Sequence, residues 1–121
     1  MKKKVMVVDD DAMNRKLFNV VLESEGYDTV MTAEGGEAVD LARREMPDLI
    51  LLDMCMPDID GLKVNQMIKQ DQRLAGVPVI AVTALSGERH VERAMDGGCA
   101  DYIQKPVSIS GFLKSVHRYL N

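Results

Sequence analysis

The sequence lacks any apolar run long enough to cross a membrane. A transmembrane helix needs about 20 consecutive apolar residues, whereas the run over residues 49–52 ends at Asp53. The basic start at residues 2–4 is followed by only a short apolar run before three acids, which does not fit a secretory signal peptide. We therefore expect a cytoplasmic protein.

Cysteine and clustered basic residues are also scarce. Cys55 and Cys99 have neither the spacing of a metal site nor the density of a disulfide scaffold, so we expect free thiols. The chain has 15 basic against 19 acidic residues, a net charge of -4, and one basic cluster at residues 2–4. Because nucleic-acid binding requires clustered Lys and Arg, no nucleic-acid partner is expected.

The 121 residues suffice for one domain, and 46% hydrophobic residues suffice for a globular core. Continuous apolar runs predict buried strands at residues 5–8, 49–52 and 79–82. Mixed runs predict strands nearer the sheet edges at residues 28–32 and 101–104. Helical spacing of apolar residues marks the intervening segments, which include Met13–Leu17–Val20–Val21, Ala38–Leu41–Ala42, residues 62–70, Val91–Ala94–Met95 and Ile109–Phe112–Leu113–Val116. This alternation predicts an α/β fold, a doubly wound five-stranded parallel sheet of order 2-1-3-4-5.

Acidic residues follow two strands that this order makes neighbours. Asp9, Asp10 and Asp11 follow the first strand, and Asp53 follows the third. The strand order reverses between these two strands, which is where such sheets bind ligands. Strands about 5 Å apart crowd the carboxylates together, and their repulsion predicts a positive partner. The candidates are a divalent cation such as Mg²⁺, which prefers oxygen ligands, and Lys105 after the fifth strand.

Thr83, after the fourth strand, adds a hydroxyl to the same rim. Each residue alone has an ordinary structural explanation: a solvated acid, a helix cap at Asp11, a surface lysine, a β-branched strand residue. Their shared rim instead favours phosphoryl transfer to a carboxylate. Asp53 would be the nucleophile, and Lys105 and Thr83 would hold phosphoryl oxygens.

Four stretches of the chain carry a resemblance to a known family: residues 7–11 (VVDDD), 48–61 (DLILLDMCMPDIDG), 82–84 (VTA) and 101–106 (DYIQKP). Together, in this order, they resemble the response-regulator receiver domains of two-component signalling. Residues 14–18, 79–84 and 97–99 are similar to DivK-like single-domain regulators. The resemblance covers essentially the whole chain and implies the flavodoxin- and CheY-like receiver fold, with residues 1–121 as one receiver domain. A receiver segment of a longer regulator or hybrid kinase is the alternative.

The resemblance also implies a role for each residue of the rim. Asp53 would be phosphorylated; Asp10 and Asp53 would bind Mg²⁺, for which Mn²⁺ could substitute. The backbone carbonyl of Cys55 would be a third ligand, and Asp9 would act through metal-bound water.

Further roles concern the switch and the loop after Asp53. Lys105 and Thr83 would contact the phosphoryl group, and Tyr102 would swing inward behind Thr83. The resemblance also implies that the bond before Pro106 would be cis. Pro57 and Gly61 are expected to shape the loop after Asp53.

The resulting hypothesis is a regulated binding module that catalyses only its own phosphorylation and dephosphorylation. Its partners would be a sensor histidine kinase or a histidine phosphotransfer protein, and a downstream protein that reads the face of strand five and helices four and five. We expect a monomer or weak dimer.

Two rival functions remain. A phosphohydrolase of the haloacid-dehalogenase pattern would need an Asp where Cys55 stands, and a nucleotide- or flavin-binding module would need glycines where Asp9, Asp10 and Asp11 stand.

Overall fold

The computed structural model describes residues 2–84, 88–105 and 107–120. Strands and helices alternate along this part of the chain. In chain order they are β1 (Lys4–Val8), α1 (Ala12–Ser24), β2 (Asp28–Thr32), a 3₁₀ turn (Gly35–Glu37), α2 (Ala38–Glu45), β3 (Leu49–Asp53), α3 (Gly61–Gln70), β4 (Val79–Thr83), α4 (Glu88–Asp96), β5 (Asp101–Gln104) and α5 (Ile109–Leu120).

All the strands pair in parallel, in the order β2-β1-β3-β4-β5, so the predicted fold class is confirmed. Every residue of β3 and β4 is buried, whereas the edge strands β2 and β5 are partly exposed. Continuous apolar runs therefore distinguished central from edge strands because only central strands are covered on both faces.

Side chains of alternate strand residues enter two separate cores. One core lies on the side of α2, α3 and α4, and its strand residues are Met6, Val8, Ile50, Leu52, Val79 and Ala81. The other lies on the side of α1 and α5, and its strand residues are Val5, Val7, Leu49, Leu51, Ile80 and Val82. The period of two in these lists is the side-chain alternation of a strand.

The outward face of α1 differs from the sequence expectation. The apolar spacing correctly indicated a helix, and its member Val21 packs against the core. The other members, Met13, Leu17 and Val20, are 74%, 41% and 58% exposed. The buried residues of α1 are Phe18 and Leu22. Phe18 packs against Phe112 of α5 with ring centroids 5.0 Å apart, and both residues belong to the same core.

Two other boundaries differ slightly from the sequence prediction. Helix α3 begins at Gly61, one residue earlier than predicted, because Asp60 caps it by accepting a hydrogen bond from the Leu62 amide at 2.9 Å. The 3₁₀ turn before α2 was not predicted. Among the described residues, no helix has both the length and the apolar composition needed to cross a membrane.

Candidate functional site

The strand register brings the acids together at the carboxyl edge of the sheet. Val8 of β1 pairs with Leu52 of β3, so Asp9 and Asp53 come next on adjacent strands. Carboxylate oxygens of Asp9, Asp10 and Asp53 lie within 4.8 Å of one another. Asp9 and Asp53 are 1% and 3% exposed, whereas Asp10 is exposed. The cluster therefore has two buried carboxylates and one open to solvent.

Asp9 is held by several donors. Its carboxylate accepts hydrogen bonds from the Asp11 amide at 2.9 Å and from the Asn14 side chain at 3.4 Å. Its carbonyl accepts one from the Arg15 guanidinium at 2.8 Å. Asp11 is the N-cap of α1 and accepts from the Met13 and Asn14 amides, which confirms the cap reading. The start of α1 thus fixes Asp9 in place.

Lys105 is the cation that contacts both buried carboxylates. Its Nζ lies 3.3 Å from Asp53 Oδ2 and 3.5 Å from Asp9 Oδ2. Its position follows from the sheet, since Thr83 pairs with Gln104 and the Lys105 amide donates to the Thr83 carbonyl at 2.8 Å. The other Asp53 oxygen, Oδ1, accepts from the Cys55 amide at 3.0 Å.

Burial and local charge shift the pKa values of this pair. Burial raises the pKa of Asp53, and the nearby Asp9 raises it further, although the Cys55 amide and Lys105 act in the opposite direction. Burial alone would lower the pKa of Lys105, but attraction to Asp53 and Asp9 outweighs it and raises the pKa. Lys105 is therefore charged at neutral pH, and burial is the main reason that the Asp53 carboxyl is harder to ionise than a solvent-exposed acid.

The cluster fits a small, hard cation. Its donors are carboxylate oxygens, the preferred ligands of Mg²⁺, and Lys105 offsets only one of the three charges. The exposed Asp10 leaves an approach from solvent. The carboxylates of Asp9, Asp10 and Asp53 are thus close enough together to share such an ion.

A cavity of about 450 Å³ opens between the loop after β3 and α4. Thr83, Tyr102 and Cys55 are among the residues that line it, and Thr83 Oγ1 lies 3.7 Å from Cys55 Sγ. Thr83 is buried and Tyr102 half-buried. The predicted switch residues are therefore close to one open space.

The other predicted structural residues lie around the loop after β3. Pro57 is exposed in that loop, and Gly61 is buried at the start of α3. The predicted cis bond before Pro106 lies outside the described residues. Asn14 and Arg15 were not predicted to support Asp9. Their position in the first turn of α1, just after the Asp11 cap, could have indicated that their side chains lie near Asp9.

Replacing Asp53 with asparagine is expected to stabilise the metal-free protein. The pKa of Asp53 is 3.8 in the unfolded chain and higher in the folded protein. Between these two pKa values the folded protein binds more protons than the unfolded chain, so the contribution of Asp53 to stability falls as pH rises. Removing the charge should therefore raise the free energy of unfolding at pH 7, since Lys105 keeps Asp9 as a partner in the variant. Thermal melts in EDTA at pH 7 and pH 4 test this; the gain should shrink at pH 4, and a lower melting temperature at pH 7 would contradict it.

The fold and site together define a phosphoryl-accepting signalling domain: acids, a lysine and a threonine meet at the switch point of a parallel sheet. The chain belongs to the response regulator receiver domain family, whose model matches residues 5–117. It is 46% identical over 120 residues to the polar-differentiation response regulator DivK of Brucella ovis, covering 99% of this chain and 98% of that protein.

Solved structures agree with this assignment. The receiver domain of a Pseudomonas aeruginosa sensor histidine kinase, with a magnesium ion coordinated in its active-site cleft, is 28% identical with a TM-score of 0.90, covering 99% of this chain and 98% of that one. The chemotaxis protein CheY4 of Vibrio cholerae is 24% identical with a TM-score of 0.93, covering 98% and 99%, and supports the fold alone. The chain is thus similar to these proteins across nearly its entire length.

Proposed function

We propose that residues 1–121 form one receiver domain that takes a phosphoryl group on Asp53. The observation that carries this proposal is the position of Asp53: it lies within 4.8 Å of two other acids and 3.3 Å from Lys105 Nζ. Asp9 is the less suitable acceptor, because amide, side-chain and lysine donors already engage its carboxylate. Asp53 has fewer such donors and stands at the centre of the sheet edge.

In the transfer step, a carboxylate oxygen of Asp53 forms a bond to phosphorus. The bond from phosphorus to the donor breaks, and its electron pair leaves with the donor, a histidine nitrogen or an acyl oxygen. Lys105 Nζ is near enough to follow a phosphoryl oxygen while staying paired to Asp9. Hydrolysis of the acyl phosphate by water would return Asp53 and inorganic phosphate. The domain would thus catalyse only its own phosphorylation and dephosphorylation.

Asp10, Asp53 and the Cys55 carbonyl would hold Mg²⁺, with Asp9 acting through water and Mn²⁺ able to substitute. The ion supplies positive charge to the phosphoryl oxygens. Before the ion binds, the protein must hold the three acids close together. The contact of Lys105 with Asp53 and the hydrogen bond from the Asp11 amide to Asp9 make this possible. The donor set of three carboxylates supports this assignment.

The switch would involve Thr83 and Tyr102. A phosphoryl group on Asp53 offers acceptor oxygens that attract the Thr83 hydroxyl, since Asp53 and Val82 pair directly and Thr83 follows. Tyr102 already lines the cavity of about 450 Å³ beside Thr83, so space exists for its ring to move inward. Such a movement would alter β5 and its flanking helices α4 and α5, the face proposed for the downstream partner.

The phosphodonor is proposed to be a histidine kinase or phosphotransfer protein, encountered in the cytoplasm by a monomer or weak dimer. A donor that reaches Asp53 must also cover the surface around it. The exposed apolar residues Met13, Leu17 and Val20 lie on α1, the helix that begins two residues after Asp10. This apolar face supports protein docking beside the site.

Phosphorylation by acetyl phosphate tests the proposal. With Mg²⁺, intact mass is expected to show one added phosphoryl group on the wild-type protein, and none with EDTA or in Asp53→Asn. Asp48→Asn is the matched control, because Asp48 is an exposed acid at the opposite end of β3. Repeated turnover of small phosphate esters would instead support a phosphohydrolase, and phosphorylation of Asp53→Asn would refute the assignment of Asp53.

A further inference from the structure

The 3₁₀ turn before α2 is tied to the loop that follows Asp53. This loop, residues 54–60, is called the acceptor loop below. The Gly36 amide donates to Asp58 Oδ2 at 3.0 Å, and the Gly35 amide donates to Asp58 Oδ1 at 3.4 Å. Two successive backbone N–H groups thus hold both oxygens of one carboxylate, an arrangement that suits an anion.

Close packing reinforces these hydrogen bonds. Gly35 is buried, and a Cβ atom there would collide with the Ile59 side chain and lie 2.9 Å from Met56 Cε. The backbone of the turn therefore lies directly on the acceptor loop. The Gly36 hydrogen bond lowers the pKa of Asp58 because it stabilises the charged carboxylate.

The base of the acceptor loop is closed by separate contacts. Cys55 and Asp60 form an isolated antiparallel bridge, and the Gly61 amide donates to the Met54 carbonyl at 3.3 Å. The Cys55 amide is bonded to Asp53 Oδ1. Asp58 adds a support at the far end of the loop, from an element 22 residues away in sequence.

We propose that Asp58 is a positioning residue for metal binding: its link to Gly35 and Gly36 holds the acceptor loop, which carries the proposed ligand Cys55, in place next to Asp53. This inference rests on the proposed metal site. Coupling between two sites is reciprocal. A metal ion that is bound more tightly because of the link must therefore also strengthen the link.

Magnesium titration by calorimetry on the full chain tests the inference. Asp58→Asn removes the charge and one acceptor, whereas Asp58→Glu keeps the charge but displaces the carboxylate. Both variants are expected to weaken Mg²⁺ binding about threefold to tenfold, the range for withdrawing one hydrogen bond from the bound state. Equal binding by the wild type and both variants would overturn the proposal. If Asp58→Asn weakened Mg²⁺ binding and Asp58→Glu did not, the proposal would also be overturned. The charge of residue 58, and not its hydrogen bonds, would then explain the effect on Mg²⁺ binding.

Asp48→Ala is the matched control. The Asp48 carboxylate likewise accepts from a backbone amide, that of Lys4 at 2.8 Å, but it does so far from the acids. This variant is expected to lose stability in urea without any change in Mg²⁺ affinity. A merely structural role for Asp58 would give the same pattern and would refute the positioning role.

Hydrogen exchange provides a second readout, independent of phosphorylation. Mg²⁺ should slow exchange of the Gly36 amide in the wild type, and this effect should disappear in Asp58→Glu. Unchanged exchange in a wild type that binds Mg²⁺ would contradict the coupling. If the wild type bound no Mg²⁺ at all, the proposed metal site itself would fail, a result distinguishable from failure of Asp58.

Discussion

Replacing Lys105 with alanine is expected to destabilise the metal-free protein by about 2–3 kcal/mol at neutral pH. The figure is below the roughly 3–5 kcal/mol of a fully buried pair because Lys105 keeps 21% of its side chain exposed. Asp9 and Asp53 would remain buried without their shared cation. Urea unfolding in EDTA measures the loss. The loss of unfolding free energy should shrink as pH falls, because protonation removes the repulsion between Asp9 and Asp53.

Magnesium is expected to reverse most of this loss. A divalent cation balances the same carboxylates as Lys105, and without the competing ammonium it should bind on the order of five- to tenfold more tightly. Ligand binding to the native state then stabilises it by mass action. Calorimetric titration and urea unfolding in excess Mg²⁺ measure the two effects. A variant as unstable with Mg²⁺ as without it would contradict the role given to Lys105.

Lys4→Ala is the control for the Lys105 experiment. Lys4 Nζ pairs with Glu45 at 3.1 Å, at the opposite end of the sheet, and both side chains are about one-third exposed. An exposed pair contributes about 0–1 kcal/mol. The loss in this variant should therefore be small and should not respond to Mg²⁺.

The central strands and the rim were predictable from sequence because local pattern determines them. The runs that became β3 and β4 are apolar at nearly every position, which only burial on both faces explains. Once the parallel order was inferred, the positions of Asp9, Asp53, Thr83 and Lys105 followed from where each strand ends. The resemblance to receiver domains added an expected role for each residue.

Contacts between distant segments were not predictable in the same way. Apolar spacing in α1 gave a helix but missed its buried residue Phe18, which packs against Phe112 far along the chain. The link from Asp58 to Gly36 joins the acceptor loop to the 3₁₀ turn, and neither segment has apolar periodicity. Both contacts depend on how distant elements pack together, and the sequence near each residue carries no signal of that packing.

Gly61 shows the same limit at the site itself. The sequence predicted only that Gly61 shapes the loop after Asp53, whereas the structure gives a steric reason. A Cβ atom at this position would lie 2.5 Å from Met54 Cα and 2.8 Å from the Asp53 carbonyl oxygen. Both contacts are with backbone, which cannot rotate away as a side chain could. Any residue other than glycine must therefore displace the chain next to Asp53.

Replacing Gly61 with alanine is expected to destabilise the protein by about 1–3 kcal/mol, the range for overpacking a close contact. Alanine is the better helix former by about 1 kcal/mol, but at the first residue of α3 the collision should outweigh that gain. Mg²⁺ affinity should also fall on the order of tenfold, as when a support of a metal ligand is lost. Urea unfolding and calorimetric titration measure the two effects.

Gly76→Ala separates this steric effect from the general effect of removing a glycine. A Cβ atom at Gly76 would meet nothing within 4 Å, and Gly76 has no positive φ. Alanine there should leave Mg²⁺ binding unchanged and stabilise the chain by about 0.4–1 kcal/mol through reduced freedom of the unfolded state. If Gly61→Ala behaved as Gly76→Ala does, the backbone beside Asp53 would have to be free to shift. The acids would then owe their spacing to Lys105 and the start of α1, not to the close approach of α3.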